Sequence, residues 1–214
     1  MNDRRNRAVR RLRTLPLPVL CLLAALALRL ICGAGLWAFD AACYAAGRLH
    51  TQTITLADTG LYTLHQLEFA GEAGDTLRST EGDSQLLLSP GQPVRTLRLV
   101  AEYSSDGCEM DLYYHLPGRG YSQQLRCWPT RTAAGEYSYT VPFFAGQGLR
   151  LDLCDRSNVT VRVKAIVLNE PLPWYDYLVP SPWQLFWLAA GAGLAACMLS
   201  LCRELLPNRN KKTR

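Results

Sequence analysis

Residues able to do chemistry occur along this 214-residue chain, but few stand at the spacings that chemistry requires. The histidines are His50, His65 and His115, and none is set as a metal ligand in the manner of HxxxH. No GxSxG nucleophile elbow, phosphate-binding glycine loop or GxGxxG fingerprint is present. The expectation is a non-enzymatic protein without a cofactor. Asp75, Glu81 and Asp83, with Gly74 and Gly82 beside them, offer oxygens of the kind calcium takes, in a spacing that matches no EF-hand loop. Glu109 and Asp111 share one face of a predicted strand, which without a cleft reads as solvated surface. Tyr113, Tyr114 and Tyr121 surround a predicted hairpin turn, where aromatic faces can stack on sugars. They are candidate glycan contacts, or else ordinary strand residues.

Cysteines divide between two environments. Cys21, Cys32, Cys197 and Cys202 fall in long apolar runs as small fillers. Cys43, Cys108, Cys127 and Cys154 fall between those runs, where an oxidising compartment would let disulfides persist. A hairpin folded about Pro117 to Arg119 places residue 109 near residue 127, so Cys108 and Cys127 are a candidate cross-strand bridge. No CxxC pair is present to run thiol exchange.

The apolar runs decide where these groups sit. Residues 15–39 carry one charge, Arg29, and follow six arginines (Arg4, Arg5, Arg7, Arg10, Arg11 and Arg13) opposed only by Asp3. As a helix such a run exceeds the roughly 30 Å of a bilayer core, and a basic flank stays cytoplasmic. Residues 183–202 carry no charge and are followed by Arg203, Arg209, Lys211, Lys212 and Arg214. The expected layout is a basic cytoplasmic arm 1–14, transmembrane helix 15–39, extracytoplasmic domain 40–182, transmembrane helix 183–202 and basic tail 203–214. The cell membrane is the expected location, with both termini cytoplasmic and the run too long for a cleaved signal peptide. Arg29 is a lone intramembrane charge, placed to snorkel to the outer head groups or to meet a carboxylate from another protein.

Net charge supports this layout. The chain is +5 overall, yet residues 40–182 hold 11 basic against 16 acidic residues, so the positive excess lies in the two arms. Nucleic acid is thereby excluded as a partner, while the lipid bilayer, with its anionic head groups, is a natural one.

Between the spans, the pattern shifts from an Ala-rich helical continuation at Asp40–Leu49 to period two. Leu97, Leu99, Ala101 and Tyr103 alternate with Arg98 and Glu102; Leu149, Leu151 and Leu153 alternate with Arg150 and Asp152. Tyr137, Tyr139, Val141 and Phe143 form another face, and Val159, Val161, Val163, Ala165 and Val167 a fourth. Weaker strands are expected at Thr51–Leu56, Leu61–Phe69, Asp75–Thr80, Ser84–Ser89, Glu109–His115 and Tyr121–Trp128. Eight to ten short strands with turn residues between them predict an all-β extracytoplasmic sandwich, jelly-roll-like, between two transmembrane α-helices. Residues 171–182 add a juxtamembrane segment in which prolines oppose a regular helix, and Trp174, Tyr175 and Tyr177, with Trp183 and Trp187, form an aromatic collar suited to the head-group layer.

The stretch GLRLDLCDRSNVTVRVKAIVLNE, residues 148–170, resembles the closing strand pair of galactose-binding-like jelly rolls between membrane spans of bacterial cell-envelope proteins. That likeness runs over about Val94–Glu170 and implies a fold, an envelope setting and contact with envelope polysaccharide. A second likeness, Leu28-Arg29-Leu30 followed by Asp40 and Tyr44, resembles the first span and outer loop of polyprenyl-phosphate glycosyltransferases, which use many spans where this chain has two. Asn158-Val159-Thr160 has the form of a glycosylation sequon, and the final Lys211-Lys212-Thr213-Arg214 that of a dilysine retrieval signal. The expected function is a displayed sandwich that binds envelope glycan or serves envelope assembly. The alternative is a structural or regulatory subunit of a larger membrane complex, in which Gly33 and Gly35, Ala189 with Gly193, and Ala192 with Ala196 allow close helix contact.

Overall fold

Unbroken runs of Leu, Ala and Val without an interior proline favour helix, and in the computed structural model the first such run is helical over Leu17–Ala45 (α1). The structure describes residues 15–71, 74–116, 118–142, 145 and 148–205; the basic arm 1–14, Pro117, Phe143 and the tail beyond Leu205 lie outside the described residues. After a one-turn helix at Trp174–Leu178 (α2), the second run is helical over Pro182–Leu205 (α3). The prolines around α2 hold it to a single turn, as the sequence led one to expect in kind if not in detail. Both long helices have the length and apolar composition to cross a membrane, and little of either is buried within the protein.

The chain divides into two compact units, one made of residues up to Phe39 with those from Leu172 onward, the other of Asp40–Pro171. In the first unit Arg29 meets no carboxylate among the described residues. Its Nη1 donates to the backbone oxygen of Tyr177 at 2.6 Å. Gly33 permits this contact, because a Cβ there would stand 2.2 Å from the Tyr177 oxygen and 2.7 Å from the Arg29 guanidinium. Ala192 and Ala196 are buried, whereas nothing lies within 4 Å of a Cβ at Gly35 or Gly193. Trp174, Tyr175, Trp183 and Trp187 of the aromatic collar are exposed, and Trp183 stacks on Phe186 at 5.6 Å and meets Trp187 edge-on at 5.5 Å.

The second unit is an antiparallel β-sandwich. Its strands in order are β1 (Gln52–Ile54), β2 (Tyr62–His65), β3 (Leu67–Phe69), β4 (Thr76–Ser79), β5 (Ser84–Leu88) and β6 (Thr96–Tyr103), followed by β7 (Asp111–Tyr114), β8 (Arg126–Cys127), β9 (Thr130–Ala133), β10 (Glu136–Thr140), β11 (Leu149–Cys154) and β12 (Thr160–Leu168). One sheet runs β3-β4-β12-β6-β10-β9 with β1 also on β12; the other runs β2-β5-β11-β7-β8. Leu97, Leu99 and Ala101 from the first sheet meet Leu86, Leu88, Leu112, Leu149, Leu151 and Leu153 from the second, all essentially solvent-free. Burying each such leucine contributes roughly 1.5–3 kcal/mol, which is what the alternation in the sequence encodes.

Three local departures from strict alternation explain where the sequence reading goes astray. The expected strand Leu61–Phe69 is two strands in different sheets, because Gln66 adopts a left-handed backbone (φ 55°) where the chain changes sheet. In β12 the register against β6 shifts between Val163 and Ala165, so Ile166 and Leu168, not Ala165, carry the inward face onward. The hairpin tip keeps the expected centre, with Leu116 bridging Gly120, but a 3-10 turn at Gln123–Leu125 takes up extra residues before β8. Cys127 therefore pairs with Leu112, and the sulfur near Cys108 is that of Cys154, at 2.9 Å. The proposed Cys108–Cys127 bridge is corrected on this register.

Asp40 begins the second unit in a buried ion pair. Its two carboxylate oxygens accept from Arg95 Nε at 2.9 Å and Nη2 at 3.1 Å, while Arg95 Nη1 donates to the Val141 carbonyl. Asn169 extends the group, accepting from the Arg95 amide at 2.7 Å and donating to Gln92 and Pro93. Tyr44 and Thr51 hydroxyls donate to the Asn169 carbonyl, so the last turn of α1 and the segment after it are tied to the residue that follows β12. A carboxylate so enclosed and neutralised serves structure rather than catalysis.

Candidate functional site

Outward-facing residues of the five-stranded sheet form two neighbouring columns. By alternation β7 presents Asp111 and Tyr113, with His115 just beyond its end, and β11 presents Arg150 and Asp152. The register sets Arg150 opposite Tyr113 and Asp152 opposite Asp111, and Arg126 of β8 lies opposite Tyr113 on the other side. Side chains of these types at cross-strand distance must interact. Arg126 Nη1 donates to Asp111 Oδ2 at 3.0 Å, Arg150 Nη2 donates to Asp152 Oδ2 at 2.9 Å, and the Arg150 guanidinium lies 4.2 Å from the centre of the Tyr113 ring.

Aromatic rings complete the face. Trp128 follows Arg126 by two residues, and its indole stacks 3.6 Å from that guanidinium while remaining 62% exposed. Tyr121, half-buried, sits 5.8 Å from Arg150 and 6.0 Å from His115. Gly148 lies between them, since a Cβ there would meet the Tyr121 hydroxyl at 3.0 Å and His115 Cδ2 at 3.4 Å. An indole held flat by a cation beneath it offers its open face to an apolar or C–H-bearing ligand surface.

The polar groups here retain unused hydrogen-bonding capacity. Asp111 Oδ1, Asp152 Oδ1, Arg150 Nε and His115 Nδ1 are buried atoms with no aligned partner among the described residues. Arg150 Nε does lie 2.9 Å from Asp152 Oδ1, so that contact is an electrostatic one without hydrogen-bond alignment. Burial pushes the Asp152 carboxyl up to about 6 despite the lowering influence of Arg150, and it pushes Asp111 up in the same way. Such groups gain from a ligand that brings hydroxyl donors and acceptors.

The structure assigns the expected tyrosines different places. Tyr113 and Tyr114 are buried, at 6% and 8% exposure, Tyr113 beneath Arg150 and Tyr114 in the sandwich core; only Tyr121 borders the face as an accessible ring. The sequence reading missed Arg126, Trp128, Arg150 and Asp152 as site residues. Their signal was available in the polar half of each alternating strand, read as a face in its own right. The calcium-type acids are dispersed: Asp75 accepts from Arg162 at 2.6 Å, Glu81 from Gln66 at 2.9 Å and Asp83 from Gln85 at 2.8 Å. Asn158 of the sequon is exposed in a left-handed turn (φ 59°) between β11 and β12.

No protein-family model matches the chain, and no curated protein matches it. Solved structures similar to it include a xylan-binding module of carbohydrate-binding family 86 from Roseburia intestinalis, at 11% identity and a TM-score of 0.38 over 56% of this chain and 94% of that one. A mutant of a family 29 carbohydrate-binding module matches at 11% identity and a TM-score of 0.41 over 56% of this chain and 91% of that one. The lectin domain of lectinolysin, in complex with Lewis b antigen, matches at 8% identity and a TM-score of 0.36 over 58% of this chain and 94% of that one. At these identities and scores they assign no ligand and no site residue to this chain.

Proposed function

We propose that this chain is a two-span membrane protein whose sandwich, displayed outside the cytoplasm, binds envelope glycan without catalysis through the outer face of its five-stranded sheet. The observation that carries the reading is the exposed Trp128 indole on Arg126, beside buried carboxylate and imidazole atoms that lack aligned partners. Sugars present both surfaces such a face needs: a C–H face to stack on an aromatic ring and hydroxyls to satisfy polar groups. The membrane placement rests on the length and apolarity of α1 and α3, on their slight burial and on the basic arms at their outer ends.

The full-length chain in lipid nanodiscs, applied to a glycan array, tests the binding. Retention of one glycan class is expected; no retention above background would move the reading to a subunit of a larger membrane complex. Small residues left open on α3, Ala189 and Gly193, are where such a partner helix would pack, and cross-linking in the native membrane would then recover one stoichiometric partner. Orientation is checked separately with a membrane-impermeant maleimide. A cysteine introduced at Thr132 should label in intact cells and one at Thr213 should not; labelling at Thr213 in sealed cells would reverse the topology.

A further inference from the structure

Cys108 and Cys154 are 46 residues apart in sequence, yet their sulfurs lie 2.9 Å apart inside the sandwich. Both are buried, Cys154 at the end of β11 and Cys108 in the segment between β6 and β7. Two further contacts hold that segment against the residues after β11, independently of the sulfurs. The Glu109 amide donates to Asp155 Oδ1 at 3.2 Å, and Arg156 Nη2 donates to the Gly107 carbonyl at 3.3 Å. The close approach is therefore supported by backbone-to-side-chain contacts that do not involve the sulfurs.

From this geometry we propose that Cys108 and Cys154 form a disulfide in the mature protein, clamping the β6–β7 segment to the end of β11. The Asp155 carboxylate stands within 4.8 Å of both sulfurs, which raises a metal ion as the competing occupant. Two thiolates on one tetrahedral zinc, each at about 2.3 Å from it, would sit roughly 3.8 Å apart. The observed separation of 2.9 Å is too short for that and lies on the way to a covalent bond.

Formation requires an oxidant, and the class named here is a disulfide-bearing thiol oxidoreductase of the exterior compartment. One cysteine, as thiolate, attacks the donor disulfide and releases the first donor sulfur. The second cysteine then attacks the mixed disulfide and releases the other. Two electrons pass to the donor, whose two sulfurs leave as thiols carrying the protons of Cys108 and Cys154. Burial and the neighbouring Cys154 push the Cys108 thiol up to about 12, so the reaction belongs to the folding chain, before the core closes over the sulfurs.

The test uses the full chain, isolated from membranes after free thiols are trapped with N-ethylmaleimide, then digested without reductant and mapped by mass spectrometry. A peptide pair linked through Cys108 and Cys154, with Cys127 alkylated after denaturation, is expected. Alkylation of both Cys108 and Cys154, a Cys108–Cys127 linkage, or a stoichiometric metal ion released by chelator would each overturn the proposal. Glycan retention is read separately, so failure of the disulfide leaves the binding-face reading intact, and the reverse holds as well.

Discussion

Arg162 with Asp75 on the seven-stranded sheet and Arg150 with Asp152 on the five-stranded sheet are the same residue types on the outside of the same sandwich. Their surroundings separate them. Arg162–Asp75, Lys164–Glu102 and Arg78–Glu68 are ion pairs on a half-exposed surface, and Arg98 bridges Glu170 and Glu136 beside them. There the basic partners hold Asp75 and Glu102 below the usual carboxylate range. On the five-stranded face, Asp111 and Asp152 are shifted the other way, because burial disfavours their ionised forms by more than Arg126 and Arg150 favour them. A solvated ion pair is satisfied by water and each other; a desolvated one with misaligned oxygens is not. The comparison is what favours the five-stranded face as the proposed binding surface over the solvated ion pairs of the other sheet.

The largest expected effect erases the difference altogether. Leu151 is fully buried between the sheets, and Leu151→Ala should cost about 2–5 kcal/mol by lost burial and the cavity left behind. Urea unfolding should show one transition moving for the whole sandwich; a transition confined to one sheet would contradict a shared core. Next, Trp128→Ala should weaken glycan retention on the order of tenfold while leaving the unfolding midpoint nearly unchanged, since the indole is exposed. Arg98→Ala, on the opposite face, should leave retention as it is.

A pH titration sharpens the contrast further. Asp152 is protonated in the folded protein up to about pH 6 but ionised in the unfolded chain from about pH 4, so the folded state holds the extra proton between them. Its contribution to stability is full below that window and falls as pH rises through about 6, with a slope no steeper than about 1.4 kcal/mol per pH unit. Asp152→Asn should remove this slope, which chemical unfolding at a series of pH values would reveal. The smallest effect belongs to the solvated side: Lys164→Ala should leave the urea unfolding midpoint essentially where it is, because its pair with Glu102 is exposed.

How much of this was legible in the sequence follows the same division. Strict alternation in β6 and β11 encoded the inward leucines, and the two apolar runs encoded the helices. β9 escaped notice because Thr130, Arg131, Thr132 and Ala133 are all exposed and show no apolar face. The bulge in β12 and the 3-10 turn before β8 could not be read from side-chain types, since each depends on how neighbouring strands fit. That turn also sets Cys127 opposite Leu112, away from Cys108. The candidate site is assembled from the consecutive strands β7 and β8 and the later strand β11, and only the pairing register brings Arg126, Tyr113 and Arg150 into one row.

A photoreactive diazirine derivative of the glycan retained on the array, cross-linked to the full-length protein in nanodiscs and mapped by mass spectrometry, asks directly which face binds. Labels on Tyr121–Trp128 and on β11 are expected, with labelling lost in Trp128→Ala. Labels on β6 and β12 around Arg98 and Lys164, or an array with no retained glycan from which to build the probe, would overturn the assignment of the five-stranded face.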